Sequence, residues 1–333
     1  MNRRWLVPLT PLYAAGVALR NRRIESGAEP VRRLEWPVIS IGNLSTGGAG
    51  KTPLTIALAL ALTRRGLHVD VLSRGYGRQS KLAARVDPEG AAEEFGDEPL
   101  LIAREASVPV YVSPQRFEAG RLAETTAEAE PKLPPVHLLD DGFQHRQLHR
   151  NVDILLMNHS DWQDRLLPAG NLREPLQAAR RATVLAIPAG EPEFEGELRA
   201  RGWRGPIWRL KRSMEVPPVS GSVVAFCGIA RPEQFFAGLE AAGLRLAAQI
   251  PFPDHRRYTA ADLERLATTA RAAGAAALLT TEKDRVRLGK RASAFPEALP
   301  LLTARLRVEI ENEDEAVEWL IGRLKPAPVS PPL

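Results

Sequence analysis

The fold is decided by one stretch, Gly42-Asn43-Leu44-Ser45-Thr46-Gly47-Gly48-Ala49-Gly50-Lys51-Thr52-Pro53. It follows a short apolar run, Val38 to Ile41, and precedes a segment of helical character, Leu54 to Arg64. A strand, a glycine-rich turn and a helix start are the context of a phosphate-binding P-loop. The backbone N–H groups of such a turn, together with the positive end of the helix dipole, bind a polyphosphate. The sequence therefore predicts a nucleoside triphosphate site here.

The loop departs from the general P-loop pattern at one position. In G-x-x-x-x-G-K-[ST] the first glycine falls where this chain has Ser45, although Gly47 and Gly48 retain backbone freedom. We expect Lys51 to reach the β and γ phosphates and the Thr52 hydroxyl to ligate Mg²⁺. A plain strand–helix connection is the alternative, and the Lys-Thr pair argues against it. The predicted nucleotide-binding residues are Ser45, Thr46, Gly47, Gly48, Ala49, Gly50, Lys51 and Thr52.

The composition is that of a globular protein with one large or two medium domains. Of 333 residues, 44% are hydrophobic and 26% are charged, which is sufficient for a sizeable core. The single cysteine, Cys227, excludes an internal disulfide and a zinc site built from several cysteines. The net charge of +5 suits a phosphorylated substrate or an anionic lipid. Only the isoelectric point of ≈ 9.6 favours nucleic acid, so no nucleic-acid partner is expected.

The first 25 residues have the pattern of a membrane-interface helix. A mostly apolar run, Trp5 to Leu19, would extend about 22 Å as a helix, shorter than the roughly 30 Å hydrocarbon core of a bilayer. Positive charge on both flanks favours peripheral binding to an anionic leaflet. A signal peptide and a helix packed on the protein's own core are the alternatives. The flanking cations are Arg3, Arg4, Arg20, Arg22 and Arg23.

Beyond the loop, apolar strand-like runs alternate with helical segments. This alternation predicts an α/β fold with a P-loop NTPase-like, mainly parallel sheet and helices on both faces. The predicted strands are His68–Leu72, Val108–Val112, Val136–Leu139, Asp153–Met157, Thr183–Ile187, Val223–Phe226, Ala276–Leu279 and Leu306–Ile310. Among the predicted helices are Glu233–Ala242, Ala261–Ala273 and Asp314–Leu324.

A break in this pattern over Lys211–Ser222, rich in proline and glycine, predicts a boundary between two domains. The predicted units are a membrane-interface helix over 1–25, a P-loop core over 26–215, a smaller α/β domain over 220–325 and a tail over 326–333.

A second nucleotide signature lies downstream of the loop. Val136-His137-Leu138-Leu139-Asp140 is an apolar strand that ends in a carboxylate, the form of a Walker B element. In P-loop proteins this aspartate helps to organise Mg²⁺. We therefore predict Thr52 and Asp140 as metal-site residues. An apolar strand that ends in aspartate is also common where no metal binds.

Seven short motifs occur in order along the chain. After the P-loop they are Ser73-Arg74-Gly75-Tyr76-Gly77, Gly96-Asp97-Glu98-Pro99, Asp140-Asp141-Gly142-Phe143-Gln144-His145, Asn171-Leu172-Arg173-Glu174-Pro175, Pro253-Asp254-His255 and Thr281-Glu282-Lys283-Asp284. Together they resemble the lipid A 4′-kinase family, the tetraacyldisaccharide 4′-kinases, over nearly the whole chain. The resemblance implies phosphorylation of the 4′-hydroxyl of a disaccharide lipid A precursor with ATP and Mg²⁺. It also implies a peripheral or monotopic location at the cytoplasmic face of the inner membrane of Gram-negative bacteria.

The resemblance implies roles for single residues as well. Asp97 matches the general base of the family and His255 the histidine that supports it. A carboxylate placed against a weakly acidic sugar hydroxyl can accept its proton during phosphoryl transfer. Arg173 matches a position that neutralises phosphoryl charge, as Lys51 does, and Glu174 one that can reach the metal shell. Without the resemblance, the alternatives are a turn residue for Asp97, a surface loop histidine for His255 and a surface ion pair for Arg173 and Glu174.

The implied partners are the lipid A disaccharide precursor and anionic inner-membrane lipid, with no obligate protein partner. The leading alternative is a membrane-associated P-loop switch ATPase of the partitioning or targeting type. Such proteins carry a lysine before the glycine pair, where this chain has Thr46. A soluble small-molecule kinase or ligase is a third interpretation, and the apolar N-terminus argues against it. For Asp141, Lys283 and Asp284 the sequence leaves open whether they are catalytic or structural.

Overall fold

The computed structural model describes residues 4–48, 50–127 and 134–324. Of the positions named above, Arg3, the side chain of Arg4, Ala49 and the tail 326–333 lie outside the described residues. The strands are β1 (Val38–Asn43), β2 (His68–Ser73), β3 (Ala84–Arg85), β4 (Val110–Val112), β5 (Pro135–Asp140), β6 (Val152–Leu156), β7 (Val184–Pro188), β8 (Ile207–Glu215), β9 (Ser222–Cys227), β10 (Arg245–Pro251), β11 (Ala277–Thr281) and β12 (Leu301–Ile310).

The α-helices in the same part of the chain are α1 (Thr10–Glu25), α2 (Lys51–Arg64), α3 (Ala92–Phe95), α4 (Asp97–Ala106), α5 (Arg116–Thr126), α6 (His159–Trp162), α7 (Pro192–Ala200), α8 (Pro232–Ala241), α9 (Ala260–Ala272), α10 (Glu282–Leu288) and α11 (Glu313–Leu324). Short 3-10 helices cover Arg4–Leu9, Leu176–Arg181 and Gly289–Ala294.

Within the described residues the strands form one twelve-stranded sheet in the order β10-β9-β11-β12-β8-β7-β6-β1-β5-β2-β4-β3. The pairs β3–β4 and β8–β12 are antiparallel, and the other neighbours run parallel. Strand β1 lies between β5 and β6 and is buried along its whole length. The predicted α/β architecture with a mainly parallel sheet is confirmed.

Helices cover both faces of the central strands, which explains why these strands are rich in apolar residues. Ile39 and Ile41 of β1 pack on one face with apolar residues of α2 and α4. Val38 packs on the other face with Ala119 and Ala123 of α5. The two-residue periodicity of a strand places successive β1 side chains on these two faces. Burial on both faces holds the end of β1, and with it the P-loop, in a defined position.

Helix α1 packs one side on the protein and leaves apolar side chains exposed on another. Val17 and Ile24 are buried, whereas Trp5, in the preceding 3-10 helix, is 78% exposed and Leu12 is 71% exposed. No helix of the described residues is long and apolar enough to cross a bilayer. The predicted N-terminal helix is present, and it combines packing on the core with exposed apolar surface. Its association with a membrane stays a prediction.

The two predicted domains share a sheet and a core. Strand β12 pairs antiparallel with β8, so the sheet continues across the predicted boundary. Val308 and Ile310 of β12, with Val317 and Leu320 of α11, belong to the buried cluster that contains the apolar face of α2. The limits 26–215 and 220–325 stay predictions of folding units, while the packing shows α11 on the P-loop core.

One strand extends into the segment where the sequence predicted a break. Strand β8 continues to Glu215, beyond Lys211. Trp208 and Leu210 are buried, whereas Arg209 and Lys211 are exposed, so charged residues alternate with apolar ones. This alternation is typical of a strand with one solvated face.

Candidate active site

A cleft of ≈ 1460 Å³ opens at the carboxyl ends of the central strands. The P-loop after β1, Arg74 and Tyr76 after β2, and Asp140 at the end of β5 all line it. His255 and Lys283, from the C-terminal third of the chain, line it as well. In open α/β sheets this is the edge at which ligands bind.

The P-loop has glycines where its backbone requires them. Gly47 and Gly50 have φ angles of 100° and 89°, in the left-handed region that side chains disfavour. A Cβ at Gly42 would lie 2.5 Å from the Cβ of Phe143, so only glycine fits at this strand end. Because Gly50 directly precedes α2, the N-terminus of that helix faces the cleft. This is the arrangement that binds anionic phosphate groups.

Ser45 has a structural position that accounts for its departure from the general pattern. It is fully buried, its hydroxyl accepts a hydrogen bond of 3.1 Å from the Asn43 side chain, and its backbone bridges to Leu172. The next residue, Thr46, donates its N–H to the carbonyl oxygen of Asn171 at 2.8 Å. The first part of the loop is therefore paired with the segment around Asn171.

Lys51 lies within a compact group of charged and polar side chains. Its Nζ donates to Asn43 Oδ1 at 3.0 Å and lies 3.6 Å from a carboxylate oxygen of Asp141. The guanidinium of Arg173 donates to both carboxylate oxygens of Asp141, at 2.9 and 3.0 Å. Burial acts to raise the pKa of Asp141, but Lys51 and Arg173 outweigh it and hold that pKa well below its usual range. The structure thus brings Lys51 and Arg173 together, as predicted, around an ionised Asp141.

Asp140 has an environment that suits a divalent cation. Its carboxylate accepts hydrogen bonds of 3.3 Å from the hydroxyls of Thr55 and Ser73, and no cationic side chain of the described residues forms an ion pair with it. Burial, followed by the charges of Asp141 and Glu98, raises its pKa to about 6. A buried carboxylate with excess negative charge nearby fits a hard metal ion that prefers oxygen ligands. Asp140 and the Thr52 hydroxyl, at the start of α2, could hold Mg²⁺.

The structure does not place Glu174 with Asp140 and Thr52. Glu174 is 0% exposed, and its two carboxylate oxygens contact Arg20 at 3.0 Å and Arg181 at 2.6 Å. Both oxygens are therefore occupied by arginines. The prediction of Glu174 as a metal ligand is not supported by this geometry, because a buried carboxylate neutralised by two cations has little capacity left for a third.

Asp97 and His255 are in contact, as the resemblance implied. Asp97 begins α4, and its Oδ2 lies 3.0 Å from His255 Nδ1. The same oxygen accepts a hydrogen bond of 2.6 Å from Arg287 Nε. His255 has a φ of 58°, an uncommon value for a residue that is not glycine, and its ring contacts the Tyr76 ring at a centroid distance of 5.3 Å. Asp97 is therefore a helix residue with two side-chain partners, not a turn residue.

The contacts of Asp97 favour its ionised form. Burial acts to raise the pKa of its carboxyl, but the hydrogen bond from His255 and the charge of Arg287 outweigh burial, and the pKa lies below its ordinary value. The hydrogen bond to Asp97 in turn raises the pKa of His255. The pair has the form of a carboxylate base with an orienting histidine.

Lys283 and Asp284, left open by the sequence, have different environments. Lys283 Nζ lies 2.6 Å from a carboxylate oxygen of Glu98 in the cleft. Asp284 is fully buried and accepts hydrogen bonds from the Gly228 N–H at 3.0 Å, the Tyr258 hydroxyl at 2.9 Å and the Thr281 hydroxyl at 2.6 Å. Its carboxylate ties the first turn of α10 to neighbouring segments, which is a structural role.

The structure adds three site residues that were not predicted from the sequence, namely Arg287, Glu98 and Asn43. Arg287 is 4% exposed, donates to the carbonyl oxygen of Gly228 and links Asp97 to Asp284. Arg287 follows Lys283 by four residues, so the two lie on one face of a helix. This spacing could have identified Arg287 from the sequence. Glu98 and Asn43 are part of the quoted motifs, but their contacts join distant segments.

Comparisons with known proteins agree with this geometry. A family model described as tetraacyldisaccharide-1-P 4′-kinase matches residues 2–325. Tetraacyldisaccharide 4′-kinase of Koribacter versatilis is 41% identical, with 94% of this chain and 97% of the relative covered. The relative of the same name in Aquifex aeolicus is 36% identical, with coverages of 97% and 99%. A crystal structure of LpxK from Aquifex aeolicus, an "apo" form in complex with ATP, superposes with a TM-score of 0.75 at 32% identity over 98% of this chain and 100% of that chain.

The fold and the site define a protein of the P-loop class whose cleft is lined by a histidine in contact with a carboxylate. The chain belongs to the tetraacyldisaccharide 4′-kinase family. The resemblance stated from the sequence motifs is thereby confirmed.

Proposed function

We propose that this protein transfers the γ-phosphoryl group of ATP to the 4′-hydroxyl of a tetraacyldisaccharide 1-phosphate in lipid A biosynthesis. The observation that carries the proposal is that the P-loop and His255 line one cleft, with Asp97 in contact with His255, in a chain that belongs to this family. A P-loop by itself fits any nucleotide-binding protein, whereas a positioned carboxylate beside it fits transfer to a hydroxyl.

The nucleotide lies against the P-loop in this proposal. The N–H groups of the loop glycines Gly47, Gly48 and Gly50, together with Lys51, bind the β and γ phosphates, and Arg173 adds positive charge beside Lys51. Thr52 and Asp140 hold Mg²⁺, which when bound neutralises charge on the phosphate oxygens. Arg173 already neutralises Asp141, so that Lys51 can act on the nucleotide without losing its charge to a free carboxylate.

Asp97 accepts the proton of the acceptor hydroxyl. Its Oδ2 is occupied by His255 and Arg287, so Oδ1 is the oxygen that acts as the base. As the 4′-oxygen forms its bond to the γ phosphorus, the bond from that phosphorus to the β–γ bridging oxygen breaks and ADP leaves. The proton passes from the 4′-hydroxyl to Asp97, whose lowered pKa keeps it ionised before the transfer. Such assistance contributes about 10²–10⁴-fold in rate.

The cleft and the N-terminus suit a phosphorylated lipid. Arg74 and Arg116 line the cleft and add positive charge for an acceptor that already carries a phosphate. The exposed side chains of Trp5, Leu12 and Leu19 form an apolar surface next to the exposed arginines of α1. We place this surface at the cytoplasmic face of the inner membrane, where anionic lipid and ATP are both present.

One assay tests the proposal. The purified protein is incubated with ATP, Mg²⁺ and tetraacyldisaccharide 1-phosphate in mixed micelles, and the product is examined by mass spectrometry and ³¹P NMR. We expect one added phosphate at the 4′ position. ATP hydrolysis with no phosphate transfer to the disaccharide would contradict the proposal and favour the switch ATPase.

A further inference from the structure

The segment from Asn171 to Glu174 is bonded through its backbone to the P-loop. The N–H of Thr46 donates to the carbonyl oxygen of Asn171 at 2.8 Å, and the N–H of Arg173 donates to the carbonyl oxygen of Leu44 at 2.7 Å. These two hydrogen bonds run in opposite directions across one short antiparallel contact. A displacement of this segment would therefore displace the first half of the P-loop.

The same segment is bonded on another side to the N-terminal helix α1. The Tyr13 hydroxyl donates to the carbonyl oxygen of Arg173 at 3.0 Å. Arg20, two turns further along α1, donates to a carboxylate oxygen of Glu174 at 3.0 Å. One short stretch of chain thus lies between the N-terminal helix and the nucleotide loop and is hydrogen-bonded to both.

Glu174 is at the centre of the ion pairs in this contact between α1 and the segment 171–174. Glu174 is fully buried, and its second carboxylate oxygen contacts Arg181, whose guanidinium lies 4.8 Å from the centroid of the Phe143 ring. Phe143 in turn contacts Gly42 at the end of β1. A buried carboxylate requires its cationic partners, so loss of Arg20 would leave Glu174 under-neutralised beside the segment that carries Arg173.

From these contacts we infer that Tyr13 and Arg20 of α1 are positioning residues for the nucleotide site. They hold the segment 171–174 so that the P-loop and the Arg173 side chain keep their geometry. The inference rests on the proposed function for its catalytic consequence. It assigns to α1 a role in binding and aligning ATP, in addition to any contact with lipid.

ATP affinity separates this role from lipid contact. The full-length variants Tyr13→Phe and Arg20→Gln are compared with Arg22→Gln, which removes an exposed arginine of the same helix. Binding of ATP with Mg²⁺ is measured by calorimetry with no acceptor present. We expect the ATP Kd to rise about 3- to 10-fold in the first two variants, as for the loss of one or two hydrogen bonds, and to stay unchanged in Arg22→Gln.

Kinetics with the lipid in mixed micelles complete the test. The inference predicts a lower kcat/KM for ATP with a lipid KM within about twofold of wild type. Arg20→Lys should restore part of the ATP affinity lost in Arg20→Gln, because it retains a cation for Glu174. Should Arg20→Gln fail to fold, Tyr13→Phe carries the test, since it removes one hydroxyl and leaves the ion pairs intact.

Two results would overturn the inference. One is an unchanged ATP Kd with a raised lipid KM in Tyr13→Phe, which would limit α1 to lipid contact. The other is an equal loss of ATP affinity in Arg22→Gln, which would indicate a general effect of charge. Failure of the proposed function is distinguishable, because the wild-type protein would then bind ATP without phosphorylating the disaccharide, and the calorimetry would still report on α1.

Discussion

The two sides of the cleft are built in different ways. The nucleotide side consists of a loop, residues 42–53, whose geometry comes from glycine conformations, a helix N-terminus and backbone hydrogen bonds. The acceptor side consists of side chains from distant parts of the chain, since Asp97 contacts His255 across 158 residues and Arg287 across 190. The backbone shape of the first arrangement rests on glycines and backbone hydrogen bonds, so we expect it to survive loss of the Lys51 side chain. In the second, one carboxylate oxygen of Asp97 carries both contacts, so each partner directly affects the base.

The largest effect is expected at the base itself. Asp97→Asn keeps the size of the side chain but removes its capacity to accept the proton, so kcat should fall about 10²–10⁴-fold with ATP affinity little changed. Steady-state kinetics and calorimetry would measure the two quantities. Asp314→Asn, in the exposed first turn of α11, is the matched control. A normal kcat with a raised KM for ATP would instead indicate that Asp97 binds the nucleotide.

Removal of the P-loop lysine should have the next largest effect. Lys51→Ala should lower kcat/KM for ATP about 10²–10³-fold, because a charged donor to the transferring phosphoryl group is lost. It should leave the fold intact, since the loop conformation rests on its glycines and backbone. Lys290→Ala, at an exposed lysine, serves as the control. Retention of more than about a tenth of wild-type turnover would remove Lys51 from the mechanism.

Arg287 offers a test through pH. The Arg287 charge helps to lower the pKa of Asp97, so Arg287→Gln should raise that pKa. Because Asp97 must be ionised to act as a base, activity is lost as pH falls through its pKa. The acid limb of the kcat/KM profile should therefore move to higher pH in the variant. An unshifted acid limb would show that Arg287 does not tune the pKa of Asp97. The control for loss of one positive charge is Arg285→Gln, at an exposed arginine on the same helix.

Asp97 and His255 should also act as one unit. If His255 works only through Asp97, the double variant Asp97→Asn/His255→Ala should be about as impaired as Asp97→Asn alone. Kinetics of the two single variants and the double variant form the cycle. Multiplicative losses would show that His255 contacts the reacting groups independently.

The smallest effect on catalysis is expected at the membrane surface. Trp5→Ser with Leu12→Ser removes exposed apolar side chains but keeps Tyr13 and Arg20, so sedimentation with anionic vesicles should fall several-fold while kcat in mixed micelles stays unchanged. Leu82→Ser, at a leucine that is 79% exposed outside α1, is the control. Equal sedimentation of wild type and double variant would show that the anchor lies elsewhere.

Much of the fold could be predicted because its information is local. Strands such as β2 and β5 are buried and rich in apolar residues, and their predicted limits differ by only one residue at an end. Strand β8 was missed because its end overlaps the segment Lys211–Ser222, which predicts a domain boundary, and α4 was missed because Asp97 follows a glycine and resembles a turn residue. The antiparallel pairing of β12 with β8, which joins the two predicted domains, depends on residues about a hundred positions apart and has no local signature.

By itself the sequence determined the P-loop, the α/β class and the family, because glycine positions, apolar periodicity and short motifs are properties of neighbouring residues. Only the tertiary structure decided the partners of the charged groups. It placed Arg287 on Asp97, Arg20 and Arg181 on Glu174, and Arg173 on Asp141. The physical reason is that a buried charge is stabilised by whichever opposite charge the fold brings within a few ångströms, and that distance is unrelated to separation along the chain.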